Sequence, residues 1–260
     1  MSNPAQNKAR ERHFIELFKS AYNSFPTGEI IAHEKQERPD VILKTAEGKI
    51  GIEITSLHDS KLKRAESECE KAVLEAQKIY ETLNLPTLHV SVHIGGNHSM
   101  NRNNRKKFAV AIANIVAANL PPPGKYAEIE NHFNDAAQFP YEIDVIFVYQ
   151  YSWPDKNLWT APSAGFYREN FVEELQNVIS EKDSKLSGYE PECIEQWLLV
   201  LAENSSPSTF FDPSETTVNH LYKSAFDKVF VMEMFKLKVH ELKLLQKRES
   251  DASAATSKLE

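Results

Sequence analysis

Apolar residues recur at helical spacing over residues 7–25, where Phe14, Leu17, Phe18, Ala21, Tyr22 and Phe25 share one face. The period then shortens to that of strands. Residues 29–34 read as a first strand with Ile30, Ala32 and Glu34 on one side, and Val41, Ile42 and Leu43 form a run typical of a buried strand. Residues 49–55 alternate strictly: Ile50, Ile52 and Ile54 form one face, and Gly51, Glu53 and Thr55 the other. The intervening segment, with Gly48 near its end, reads as a hairpin turn.

Further along, residues 61–83 read as an amphipathic helix, residues 87–94 as a fourth strand and residues 103–119 as a helix whose apolar face includes Phe108, Ile112, Ile115 and Val116. Residues 143–151 read as a buried strand, followed by a loop over 152–166 that contains Pro and Trp, a helix over 167–180 and a second buried strand over 195–203. A long helix is expected over 215–246, with an aperiodic, disordered tail at 249–260. The fold class that follows is α/β: a central mixed β-sheet flanked by helices. A single domain over 1–248 is expected, with its core at about 7–151 and a helical C-terminal elaboration over 152–248.

A chain of 260 residues that is 41% hydrophobic can bury a sizeable core. Its longest apolar runs are too short to cross a bilayer, and Cys69 and Cys193 are its two cysteines, so a reduced, cytoplasmic protein with no membrane partner is expected. The net charge of -7 argues against a protein that coats nucleic acid nonspecifically and leaves local recognition open.

The chemistry concentrates between Asp40 and Glu53. If the strands at 41–44 and 49–55 pair as a hairpin, the two carboxylates lie on neighbouring strands, close enough to share one hard cation. Without that cation their repulsion raises the pKa of one of them. The pattern Pro39-Asp40 followed by Glu53-Ile54-Thr55 resembles the PD-(D/E)XK phosphodiesterase superfamily, which includes many restriction and repair nucleases. The resemblance implies a restriction-endonuclease-like core in the order α-β-β-β-α-β, which the expected elements can follow from the first helix to the strand at 87–94. It also implies Mg²⁺ or Mn²⁺ held by Asp40, Glu53 and the backbone carbonyl of Ile54, and cleavage of nucleic acid, with DNA the expected substrate.

Thr55 stands at the family's lysine position and offers a neutral hydroxyl in place of a cation. Lys61 and Lys63 are the nearest replacements, because Lys49 lies four strand residues from Glu53, roughly 13 Å. The missing lysine also leaves room for a noncatalytic module on the same fold that binds nucleic acid or a protein partner. Glu11 falls within the apolar face of the first helix and is either a further metal ligand or an acid favoured by the helix dipole. Glu34 is either another ligand or a strand-end residue in water.

Arg102, Arg105, Lys106 and Lys107 crowd the start of a helix beside Gly95-Gly96, an arrangement that either seats a phosphate or is solvated surface charge. His89, His93 and His98 invite a zinc reading, but four-residue spacing along a strand holds the first two rings too far apart. His58 is either a phosphate contact or a surface residue. The apolar run at 229–237 is either core or a homodimer surface.

Overall fold

The structure, a computed structural model, describes residues 4–32, 39–95, 102–130, 139–151, 156–162, 165–189 and 192–245. Along the chain run α1 (Pro4–Ala21), β1 (Gly28–Ala32), β2 (Val41–Thr45), β3 (Lys49–Ser56), α2 (Ser60–Glu81), β4 (His89–Ile94), α3 (Arg102–Ala118), β5 (Tyr126–Glu130), β6 (Ile143–Tyr149) and β7 (Leu158–Thr160). There follow α4 (Val172–Asp183), β8 (Cys193–Ala202), α5 (Glu215–Asn219), β9 (Leu221–Tyr222), β10 (Lys228–Glu233), β11 (Lys238–Glu241) and β12 (Lys243–Leu244). They form two compact units, the first from residues 1–58, 167–205 and 209–260, the second from 59–166 with 206–208.

The first unit is a mixed α/β layer built on a six-stranded sheet ordered β1-β2-β3-β8-β10-β11. Strands β1 to β3 form an antiparallel meander, β3, β8 and β10 run parallel, and β11 returns antiparallel. The alternation of β3 decides its faces as expected. Ile50 and Ile52 pack with Ile15 and Phe18 of α1, Trp197 and Phe230. The opposite face carries Leu198, Val200, Val229 and Val231, covered by Leu175 and Ile179 of α4. In the hairpin between β2 and β3, Thr45 accepts the Gly48 amide and Gly48 sits at φ 151°, where a side chain would be strained and would also meet Ile194.

The second unit has a four-stranded sheet, β5-β6-β4-β7, with α2 and α3 over one face. Asp59 caps α2 by accepting the amides of Lys61 and Leu62, each at 2.8 Å. The placement of α2 and β4 corrects the expected element order. They are not the second helix and fourth strand of the first sheet, because β4 pairs with β6 and β7, while β3 takes β8 as its parallel neighbour. Local periodicity is the same in either arrangement. The pairing partner is a tertiary choice, made here by the separate core around Val90, Val92, Ile112 and Ile146.

The helical C-terminal elaboration is also corrected. In place of a helix over 215–246 there are the five residues of α5 and then strands β9 to β12. Val229, Phe230, Val231 and Met232 are buried on alternating faces of the sheet, which is what an unbroken apolar run means inside parallel strands. That part of the 229–237 run is therefore core and not a dimer surface. The first sheet is completed by residues 193–241, beyond the boundaries 7–151 read from the sequence. The 152–166 loop contains β7, whose Trp159 is pinned in the second core. The tail expected at 249–260 lies outside the described residues. Among the described residues no helix is long and apolar enough to cross a membrane.

Phe230 sits within 5.3 Å, ring centroid to centroid, of Phe18, Tyr22 and Trp197. Phe230→Ala is expected to cost about 3–5 kcal/mol of unfolding free energy in urea titrations, leaving the sedimentation coefficient of the folded protein unchanged.

Candidate functional site

The register of the β2–β3 hairpin pairs Val41 with Ile52, which sets Asp40 across from Glu53. Asp40 is fastened there by its Oδ2, which accepts the Ile54 amide at 2.7 Å. Glu53 is 4% exposed and points to the α4 side of the sheet, opposite Ile50 and Ile52. There Lys182 of α4 donates from Nζ to Glu53 Oε1 at 2.7 Å, with the lysine side chain 18% exposed. The other oxygen, Glu53 Oε2, is buried without a hydrogen-bond partner.

Asp40 feels this crowding. Burial first, then the charges of Glu53 and Glu11, raise its pKa from the ordinary 3.8 to about 7, against the opposing pull of the Ile54 amide and Lys182. The direction matches the repulsion anticipated from the sequence, though desolvation outweighs it. Glu11 joins the group from α1. Its Oε2 is buried, with Lys8 3.0 Å away in an ion pair that lacks hydrogen-bond geometry. A cavity of about 250 Å³ opens beside Asp40 and Glu11, with Arg10, Ile54, Thr55 and Ser56 also in its wall, whereas Glu53 and Lys182 are not part of its lining. Behind it Glu203 takes the guanidinium of Arg10 at 2.6 Å and the hydroxyl of Ser56.

Asp40 is the common neighbour: the Ile54 amide bonds to it, the charges of Glu53 and Glu11 both act on it, and Glu11 and Thr55 share its cavity. Lys61 and Lys63 are exposed residues at the start of α2, which belongs to the second unit. Lys182 is the residue that sequence reasoning missed. The helix over 167–180 stops two residues short of it, but a signal is present: Phe171, Leu175 and Ile179 mark the buried stripe, and Lys182 continues that stripe one turn on. A lysine on an apolar stripe has to find a carboxylate or leave the face.

Lys49 pairs with Glu192, and His58 Nδ1 lies 3.2 Å from the Ser56 carbonyl oxygen. Arg102, Arg105, Lys106 and Lys107 all belong to α3 of the second unit. Arg105 is held by Glu68 at 3.0 Å and Glu75 at 3.4 Å, so acids of α2 already occupy part of that cluster. Lys106 and Lys107 are exposed, and the Arg102 side chain, like Glu34 and His98, lies outside what is described. His93 Nε2 stands 3.2 Å from Ser91 Oγ. Among the described residues no group of three or more His, Cys, Asp or Glu side chains is placed to hold a metal ion. The fit of a cation therefore rests on Asp40 and Glu53 alone, and the buried, unpartnered Glu53 Oε2 beside a second carboxylate is the kind of donor a hard cation takes. Compared with family models, curated proteins and solved structures, the chain matches none.

Between about pH 4 and 7 the folded protein keeps a proton on Asp40 that the unfolded chain has released, so this group's contribution to stability falls as pH rises through that window and levels off above it. Asp40→Asn is expected to remove a loss on the order of 4 kcal/mol, seen as a smaller drop in Tm from pH 4 to 8 in metal-free buffer. Lys182→Met strands a buried carboxylate and is expected to cost about 3–5 kcal/mol, most of it recovered in the Glu53→Gln/Lys182→Met double variant, as read from denaturant midpoints.

Proposed function

We propose that the first unit is a divalent-metal-dependent phosphodiester hydrolase, a nuclease acting on DNA, on a restriction-endonuclease-like core. In this reading α1, β1, β2, β3, α4 and β8 supply the order α-β-β-β-α-β, and the second unit is an insertion between β3 and α4. The observation that carries it is the contact of Lys182 Nζ with Glu53 at the position facing Asp40. The motif has its two acids and lacks only the lysine, with Thr55 in its place, and in this reading Lys182 of α4 supplies that cation.

Asp40, Glu53 and the Ile54 carbonyl would hold Mg²⁺ or Mn²⁺, which supplies Lewis-acid polarisation of the scissile phosphate and a more acidic bound water. The rest falls to this chain's own groups. Lys182 is aimed by a buried carboxylate, so its ammonium is positioned to orient the attacking water and to stabilise charge developing on the phosphate. Thr55, on the same strand face as Glu53, offers a neutral hydrogen bond in the cavity wall. Arg10 at the rim presents a guanidinium to a phosphodiester backbone, and Glu203 holds it in place.

The test is cleavage of plasmid, single-stranded DNA and RNA with Mg²⁺ or Mn²⁺. Asp40→Ala and Glu53→Ala are expected to abolish cleavage, and Lys182→Arg to slow it about a hundredfold while the fold persists. Undiminished cleavage by both alanine variants refutes the assignment. A parent protein that neither cleaves any of these substrates nor binds Mn²⁺ calorimetrically is instead a noncatalytic module.

A further inference from the structure

The sheet of the second unit has two unlike faces. Val90, Val92, Ile129, Ile146 and Val148 point into the core under α2 and α3. By the two-residue period of strands, the residues between them point the other way. Register lines these up in rows across the sheet: Tyr126, Tyr149, His89 and Leu158 in one, Glu128, Phe147, Ser91 and Thr160 in the next, then Glu130, Val145 and His93.

The rings on this face touch one another. Tyr149 stacks on Tyr126 at 5.8 Å and on Tyr151 at 5.6 Å, Phe147 stacks on Tyr149 at 6.4 Å, and His93 meets the edge of Phe147 at 5.4 Å. Ring-to-ring contact shields part of this aromatic surface, so that Phe147 and Tyr149 are half-buried. Tyr126 remains 61% exposed and Leu158 48% exposed. A continuous aromatic face on a sheet whose other side is fully packed is a contact surface.

Charge selects the occupant. The charged side chains in these rows are Glu128 and Glu130, and exposed Asp144 follows at the bulge where β6 begins. Lys125 and Lys156 stand in the connections at the Tyr126 and Leu158 end, outside the rows. Stacked bases would bring phosphates against these carboxylates, whereas single-strand readers pair their aromatic platforms with a cationic groove. A guanidinium suits both features, since it lies flat on a tyrosine or phenylalanine ring and bonds to a neighbouring carboxylate. Glu128 sits beside Phe147 in its row and next to Tyr126 along its strand face, which is the spacing such a group needs.

We infer that the open face of the β5-β6-β4-β7 sheet is a docking surface for an arginine-bearing polypeptide segment, read by the Tyr126, Phe147 and Tyr149 rings together with Glu128. This surface is independent of the hydrolase reading and survives its failure.

The experiment is fluorescence anisotropy on the full chain with a labelled peptide of alternating arginine and glycine, and in parallel with a labelled oligothymidylate. The peptide is expected to bind the parent. Glu128→Lys and the Tyr126→Ala/Tyr149→Ala pair are each expected to weaken it about tenfold. Glu70→Lys, the same charge change at an exposed position of α2, is expected to leave affinity within about twofold. Circular dichroism verifies that each variant is folded, and Tyr126→Ser alone, at the most exposed ring, replaces the pair if it is not. The inference is overturned if the parent does not bind the peptide, or if Glu70→Lys weakens binding as much as Glu128→Lys. It is also overturned if the tyrosine variants bind like the parent, or if the oligothymidylate binds in preference and loses affinity with the tyrosines.

Discussion

A carboxylate taken out of water on the face of a sheet has to be answered by a positive charge, and the first unit is arranged around that requirement. Glu53 is buried on β3, and its answer is Lys182 from a helix packed across the strands. The pair is not a source of net stability, since desolvating two ions costs about what their attraction returns. What it does is dictate position. The helix must lie where Leu175 and Ile179 seat on the sheet and the ammonium reaches the acid, so apolar packing carries the helix and the ion pair sets its register. Asp40 then fills the remaining place opposite, with its acidity blunted by the same burial.

How much of this was legible in the sequence depends on the range of the interaction. The juxtaposition of Asp40 and Glu53 was legible because a hairpin and a two-residue alternation specify it within a few residues. The apolar stripe of α1, including the inward lean of Glu11, was legible for the same reason. Lys182 was not, because nothing in residues 167–183 says which strand the helix will cover. The sequence alone places α2 and β4 as a continuation of the first sheet, because they have the local patterns any crossover helix and strand would have. The helix expected over β10 gives way to a strand because four consecutive apolar residues satisfy either period, and the parallel pairing with β8 that decides between them is a long-range contact.

The second unit applies the same logic to a smaller sheet with a different outcome. Its buried side is closed by α2 and α3, and a short return of the chain, residues 206–208, is fixed to α2 where Glu66 accepts the Ser208 amide at 2.8 Å and its hydroxyl at 2.6 Å. Ser208 in turn receives the Asp59 amide at its carbonyl, so the residue that caps α2 is tied at the same point. With one face of the sheet sealed and the helix start secured, the aromatic face is what the unit presents.

Glu53 and Lys182 stand 129 residues apart along the chain, with nearly all of the second unit made between them. During synthesis the three-strand meander emerges first with its acidic residue unmatched, and it must wait for the whole inserted unit to be translated before β8 can zip alongside β3 and the lysine can arrive. The half-built sheet meanwhile offers an open β3 edge. Nascent chains of this protein are therefore most exposed to misassociation while the insertion is being made, and the Glu53–Lys182 pair can form only after it.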